Sequence, residues 1–205
     1  TSVKVSLNGN NTCALQNGGL KCWGVNSYGL GDGITTSSNV PISVTGLTTG
    51  VAYFDMATNG NSNHICAVMS VGTLYCWGLG TTGQLGDGTS TSRLAPVQVN
   101  NLSSGVSKVF LGTTNTCAIT NSGALYCWGL GTSGQLGNGS LANSSFPNGT
   151  GPIINSGVMG VNFNAGTTTC AVVNGEVKCW GANNLGQVGD FTGVVATPTT
   201  VAYPQ

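Results

Sequence analysis

Eight cysteines and four tryptophans carry most of the chemical potential of this chain, and their spacing decides what that chemistry is. The cysteines fall in pairs nine or ten residues apart: Cys13 and Cys22, Cys66 and Cys76, Cys117 and Cys127, Cys170 and Cys179. Structural zinc sites place two cysteines only about two to four residues apart and often recruit histidines. With the wrong spacing and a single histidine, His64, no metal site is expected. Asp32, Asp87 and Asp190, with Asn138 in the equivalent place, each bring one side chain to a turn. Calcium takes about six to eight oxygens, several of them charged, so these residues read as turn stabilisers. No nucleophile and carboxylate are arranged around His64 as a triad requires, and it reads as a surface or capping residue. Glu176 stands at a hairpin tip without the second carboxylate of an acid–base pair. The glycine-rich turns lack the Lys-Ser/Thr ending of a phosphate loop. No catalytic residue and no cofactor are expected, and the chain reads as a non-enzyme.

The elements that position these residues repeat. Cys13-Ala14-Leu15, Cys66-Ala67-Val68, Cys117-Ala118-Ile119 and Cys170-Ala171-Val172 recur at intervals of 53, 51 and 53 residues. Each is followed by Cys-Trp-Gly, beginning at Cys22, Cys76, Cys127 and Cys179. Next comes a glycine-rich turn, clearest as Gly83-Gln84-Leu85-Gly86-Asp87-Gly88 and Gly134-Gln135-Leu136-Gly137-Asn138-Gly139. The fourth copy reads Gly186-Gln187-Val188-Gly189-Asp190, and the first, Gly29-Leu30-Gly31-Asp32-Gly33, has lost the Gln. Self-similarity at this period marks a repeat architecture. The expectation is one array over residues 1–205, with repeats at about 1–50, 51–104, 105–156 and 157–205.

Hairpin geometry tests the cysteine pairs. Asn17-Gly18 and Asn174-Gly175 signal two-residue type I′ turns. Pairing outward from them sets Cys13 opposite Cys22 and Cys170 opposite Cys179. The middle copies carry three-residue tips ending in glycine, Ser70-Val71-Gly72 and Asn121-Ser122-Gly123, which suit a type I turn plus a left-handed residue. Counting out from those sets Cys66 opposite Cys76 and Cys117 opposite Cys127. Two turn lengths are thus matched by two compensating cysteine spacings. All four pairs fall at non-hydrogen-bonded sites, where Cα atoms lie ~4.5 Å apart, within disulfide reach. Disulfides Cys13–Cys22, Cys66–Cys76, Cys117–Cys127 and Cys170–Cys179 are therefore expected, and with them an oxidising compartment.

Two more strands complete each unit. One precedes the first Cys, at Val3 to Leu7, Val51 to Met56, Val106 to Leu111 and Val158 to Phe163. The other follows the glycine turn, at Pro41 to Val44, Pro96 to Val99 and Pro198 to Val201. The third copy lacks a clean version and carries a loose Asn/Ser/Gly stretch through Pro152. In each hairpin Cys and Leu share one face, while Ala, Tyr or Lys, and Trp share the other. Both faces are apolar, as in a small sheet sandwiched between neighbours. The fold expected is all-β: four tandem repeats of about 50 residues, each a β-propeller-type blade of four antiparallel strands. Trp23, Trp77, Trp128 and Trp180 are assigned to the core between blades rather than to a sugar-stacking platform.

The run C-A-hydrophobic, hairpin, C-W-G, G-Q-L-G-D-G, then P-V-x-V resembles the RCC1-like repeat, the regulator of chromosome condensation type. The resemblance spans essentially all of the chain. It implies β-propeller blades, and complete family propellers usually have seven. Four repeats would then make a partial, small or intermolecularly completed propeller. Among the roles that the resemblance implies, the secreted, protein-binding branch suits eight paired cysteines better than the nuclear one.

Composition narrows the function further. Only 5% of residues are charged and the formal net charge is zero, against roughly 25% charged in ordinary soluble domains. That excludes the basic footprint of a nucleic-acid binder and leaves little repulsion between copies. No apolar run approaches the ~20 residues of a membrane span. The chain opens at Thr1 without a signal peptide, so an extracellular protein of this sequence is expected to be a processed or excerpted chain. Glycosylation triplets stand at Asn10, Asn101, Asn138, Asn143 and Asn148. Taken together these point to an extracellular or cell-surface structural protein whose partner is another copy of itself. The terminal strand Pro198, Thr199, Thr200, Val201 is expected either to close a ring within the chain or to add to the first blade of a neighbour, and contacts that do not close give filaments. The alternative is a secreted module binding surface proteins or glycans through its loops, with Tyr28, Phe146 and Phe191 as the loop aromatics.

Overall fold

The computed structural model describes residues 1–5, 11–57, 64–147, 151–164, 167–189 and 193–202. The first sheet runs β1 (Ser2–Val5), β2 (Asn11–Gln16), β3 (Gly19–Gly24) and β4 (Ser38–Ser43), side by side in chain order. The second repeats this with β5 (Val51–Met56), β6 (His64–Met69), β7 (Leu74–Gly78) and β8 (Arg93–Gln98). The third holds β9 (Val106–Leu111), β10 (Asn115–Thr120) and β11 (Leu125–Gly129), and the fourth β12 (Val158–Asn164), β13 (Thr168–Val173), β14 (Glu176–Gly181) and β15 (Val195–Thr200). All neighbouring strands are antiparallel.

The third sheet departs from four strands. Its outer position is filled by two single bridges, Gly129 with Ser144 and Leu125 with Ile154. The connecting stretch is rich in Asn, Ser and Gly, with Pro147 and Pro152 lacking the N–H a ladder needs. Among the described residues, isolated ones alone reach β11.

Turn chemistry fixes the register. Asn17 and Gly18 have φ of 52° and 76°, and Asn174 and Gly175 have 52° and 86°, the two left-handed residues of a type I′ turn. In the longer tips Gly72 and Gly123 take φ of 82° and 77°. The registers place Cys13 opposite Cys22, Cys66 opposite Cys76, Cys117 opposite Cys127 and Cys170 opposite Cys179. All four pairs are disulfide-bonded, with Cα atoms 4.1 Å apart. Each sheet carries one.

The terminal strand requires a correction. Pro198, Thr199 and Thr200 belong to β15, which is the outer strand of its own sheet, with Thr199 opposite Cys179 and the Val201 amide donating to the Val177 carbonyl. The first sheet already has its innermost strand in β1. Every sheet draws on one contiguous stretch of chain, so the segment offers no spare strand to a neighbour.

Sheets stack face to face, with β1 against β5, β5 against β9 and β9 against β12 along the inner edge. Three cores lie between them. Cys13, Leu15, Leu20 and Cys22 of the first sheet pack with Phe54, Ile65, Ala67 and Trp77 of the second. Cys66, Val68, Leu74 and Cys76 pack with Val109, Ala118 and Trp128 of the third. Cys117, Ile119, Leu125 and Cys127 pack with Val161, Ala171 and Trp180 of the fourth. Each sheet thus presents a cystine face to the next sheet and an indole face to the one before.

A loop of about ten residues closed by a disulfide lowers chain entropy in the unfolded state by about 2–3 kcal/mol. The Cys66→Ala, Cys76→Ala double variant is therefore expected to lose about 2–3 kcal/mol in guanidinium unfolding, as the bond sits inside a central sheet. A loss below 1 kcal/mol would show that packing alone holds that hairpin.

Candidate functional site

The recurring device of this structure is the joint between blades. In the third blade, Trp128 Nε1 donates to the Gln84 carbonyl of the blade before it at 2.9 Å, and Thr116 Oγ1 donates to the same oxygen at 2.8 Å. The fourth blade repeats it: Trp180 Nε1 and Thr169 Oγ1 donate to the Gln135 carbonyl at 2.9 and 2.8 Å. In the second blade Trp77 Nε1 reaches the Gly29 carbonyl at 3.3 Å, and Ile65 stands where the others have threonine. Buried indole N–H groups need a partner, and one backbone oxygen supplies it three times.

A glycine makes room for each ring. A Cβ on Gly86 would lie 2.7 Å from Trp128 Nε1, and on Gly31 and Gly137 it would lie 2.8 and 2.6 Å from the matching Trp77 and Trp180 atoms. Those glycines also take φ between 73° and 75°, a region that costs other residues energy. The turn is braced by its own side chains. Gln84 Oε1 accepts from the Thr82 amide at 2.9 Å, and Gln135 and Gln187 do the same for Ser133 and Leu185.

The aspartates sit in these turns. Asp87 Oδ1 accepts from the Thr89 amide and hydroxyl at 2.9 and 2.7 Å, and Oδ2 accepts from Arg93 Nε at 2.8 Å. Burial works against its charge, but those bonds hold its carboxyl below the ordinary value. Asp32 Oδ1 accepts from Asn26 Nδ2, and Asn138 Oδ1 accepts from the Ser140 amide. Asp190 lies outside the described residues. Among the described residues no three His, Cys, Asp or Glu side chains converge as metal ligands. Glu176 is exposed, 3.7 Å from Lys178 Nζ.

His64 is not on the surface. It is fully buried, its Nε2 is 2.9 Å from Thr116 Oγ1, and Nδ1 has no partner. It occupies the register position of Asn11, Asn115 and Thr168, opposite the glycine of Cys-Trp-Gly. All three counterparts are buried. Burial pushes the imidazole down to about 3 from 6.5. Since Thr116 donates to the Gln84 carbonyl, Nε2 carries the proton and donates to Thr116.

Trp77, Trp128 and Trp180 are fully buried between blades. Trp23 is different: no described blade lies against its face, and its ring is half-buried. It lines a hollow with Ala14, Lys21, Pro41 and Ser43. At the other end Val172 and Gln187 are exposed, where Gln84 and Gln135 are fully buried. The glycosylation triplets place Asn101, Asn138 and Asn143 at the surface, while Asn10 and Asn148 lie outside the described residues. Tyr28 and Phe146 are exposed, and Phe191 falls outside the described residues.

Small antiparallel sheets stacked face to face along their innermost strands are blades of a β-propeller. The chain belongs to the RCC1 repeat family: the regulator of chromosome condensation (RCC1) repeat matches residues 71–119 and 122–164, and a second RCC1 repeat model matches 106–135. It is 33% identical over 91% of its length to the ultraviolet-B receptor UVR8 of Arabidopsis thaliana, covering 42% of that protein. It is 31% identical over 99% of its length to the mouse (Mus musculus) E3 ubiquitin-protein ligase HERC2, covering 4% of that protein. The crystal structure of Prp20p from Saccharomyces cerevisiae superposes with a TM-score of 0.75 at 20% identity, over 94% of this chain and 49% of that one. The chain therefore spans less than half the length of each of these relatives.

Linkage gives His64 a measurable signature. The unfolded imidazole takes a proton below pH 6.5 and the folded one only near 3, so stability is full above 6.5 and falls as pH drops toward 3. Guanidinium unfolding is expected to show a loss of about 2 kcal/mol between pH 7.5 and pH 5. His64→Gln should flatten that slope, and an unchanged slope in the variant would assign it elsewhere.

Proposed function

We propose that this chain is a non-enzymatic extracellular structural subunit, a run of propeller blades that associates with copies of itself into a filament. The observation that carries the reading is the blade-to-blade joint, an indole-to-carbonyl contact made three times by this chain's own residues. Blade-to-blade contact is the interaction this sequence is built to make.

Chemistry and composition support the same reading. One cystine per blade suits an oxidising compartment. Zero net charge and 5% charged residues leave little repulsion between copies. The buried His64 titrates far below neutral pH and faces only a threonine hydroxyl, so it is unsuited to acid–base work. Asn101, Asn138 and Asn143 are exposed and would carry glycans in a source that glycosylates asparagine. Such a coat would supply the solubility that charge does not.

A second reading rests on the Trp23 hollow, which has the apolar wall and polar rim of a ligand site. On that reading the chain is a secreted protein- or glycan-binding module. Negative-stain electron microscopy of native, unreduced material, with intact mass on the same sample, separates the two. Ordered filaments with an axial repeat of one chain are expected, and a mass excess in sugar-residue steps would reveal attached glycans. Discrete particles at every concentration would favour the binding module.

A further inference from the structure

We propose that each joint between blades is the gate to the cystine beneath it. A thiol reductant then reaches Cys13–Cys22, Cys66–Cys76 or Cys117–Cys127 only when the blade stacked over that bond lifts. The inference concerns the three joints inside the chain and holds whether or not copies associate.

Thiol–disulfide exchange needs direct access to sulfur. A dithiol attacks as its thiolate: a bond from its sulfur to one cysteine sulfur forms, the cystine S–S bond breaks, and the other cysteine leaves as thiolate. The second thiol of the reductant then attacks the reductant's own sulfur in that mixed disulfide and releases the remaining cysteine. Two electrons and two protons have passed to the protein, and the reductant has become a disulfide.

The folded chain denies that access. Cys13, Cys22, Cys66, Cys76, Cys117 and Cys127 are each 0% exposed. Within each sheet the flanks are closed by strands in register. Lys4 and Ile42 stand beside Cys13–Cys22, Asp55 and Val97 beside Cys66–Cys76, and Phe110 beside Cys117. Among the described residues the remaining cover is the indole face of the next blade, with Trp77, Trp128 and Trp180 in the three cores.

That cover is the part that can move. No cystine joins one blade to another, so a joint parts without breaking a covalent bond or a strand pair. What holds it is apolar contact and a few hydrogen bonds centred on one turn carbonyl, as between Trp128, Thr116 and Gln84. Opening such a contact takes less free energy than unfolding the whole chain. The resulting device is selective. Parting the second and third blades bares Cys66–Cys76, while Cys13–Cys22 stays under Trp77 and Cys117–Cys127 under Trp180. A separated pair of blades is thereby marked by two free thiols.

Reduction kinetics on the native full chain test the gate. The chain is treated with excess dithiothreitol at neutral pH, quenched by alkylation at intervals, and mapped by peptide mass to give one rate per cystine. Gly86→Ala strikes the socket of Trp128, because a Cβ there lies 2.7 Å from Nε1 on a residue with φ of 75°. It is expected to speed reduction of Cys66–Cys76 about tenfold and to leave Cys13–Cys22 and Cys117–Cys127 within about twofold of wild type. Gly137→Ala, in the socket of Trp180, should move the acceleration to Cys117–Cys127. A variant that loses its circular dichroism is replaced by Thr116→Val, which removes one donor to the Gln84 carbonyl without changing the backbone and should speed Cys66–Cys76 alone. Equal acceleration of all three cystines would make global unfolding the route and overturn the gate. So would folded variants whose rates match wild type, or wild-type rates equal to those of the guanidinium-unfolded chain.

Discussion

A tryptophan indole donating to a backbone carbonyl of the preceding blade is the contact on which this architecture depends. The ring of Trp77, Trp128 or Trp180 fills the space over the preceding cystine, and its fully buried N–H must find an acceptor within the protein. The acceptor is a turn carbonyl, and it can approach only because the residue two positions on is glycine. One atom pair thereby links a turn, a cystine face and the next hairpin. The Gly-Gln-Leu-Gly segment that looks like loose connecting chain is the socket of the joint.

Stability in such an array is local. Each blade is closed by its own short covalent loop and meets only its neighbours, so no cystine joins one blade to another. What joins them is apolar area and a few hydrogen bonds, such as the Gly88 amide to the Ser145 carbonyl and the Gly139 amide to the Ala196 carbonyl. Among the described residues charge contributes sparingly: Lys4 with Asp55 crosses from the first blade to the second, and Arg93 with Asp87 braces the second blade internally.

Much of this was legible in the sequence because turn length and cysteine spacing vary together. Asn17-Gly18 with a spacing of nine and Ser70-Val71-Gly72 with a spacing of ten lead to the same cross-strand pairs. The alternation of Cys and Trp faces followed from period-two geometry alone. Three things were not legible. Pro198 to Val201 looked like a spare strand because repeat boundaries read from motifs do not say which sheet a strand joins. His64 looked superficial because a lone histidine near a loop usually is, yet its register partners Asn11 and Asn115 are both buried. The socket carbonyl escaped notice because a backbone atom leaves no side-chain signature; only the recurrence of the glycine after Leu85 and Leu136 hinted at it.

The placement of the cystines has a consequence for durability against proteases. Exposed peptide bonds lie at the hairpin tips, where Val71 is 73% exposed and Asn121 and Asn174 face solvent. Every tip is spanned by the disulfide a few residues below it. A cut there opens a backbone bond but releases no fragment, since both strands stay joined through sulfur and through the ladder between them. A chain nicked at all four tips would still be one covalent molecule, transmitting tension from blade to blade until a reductant arrived.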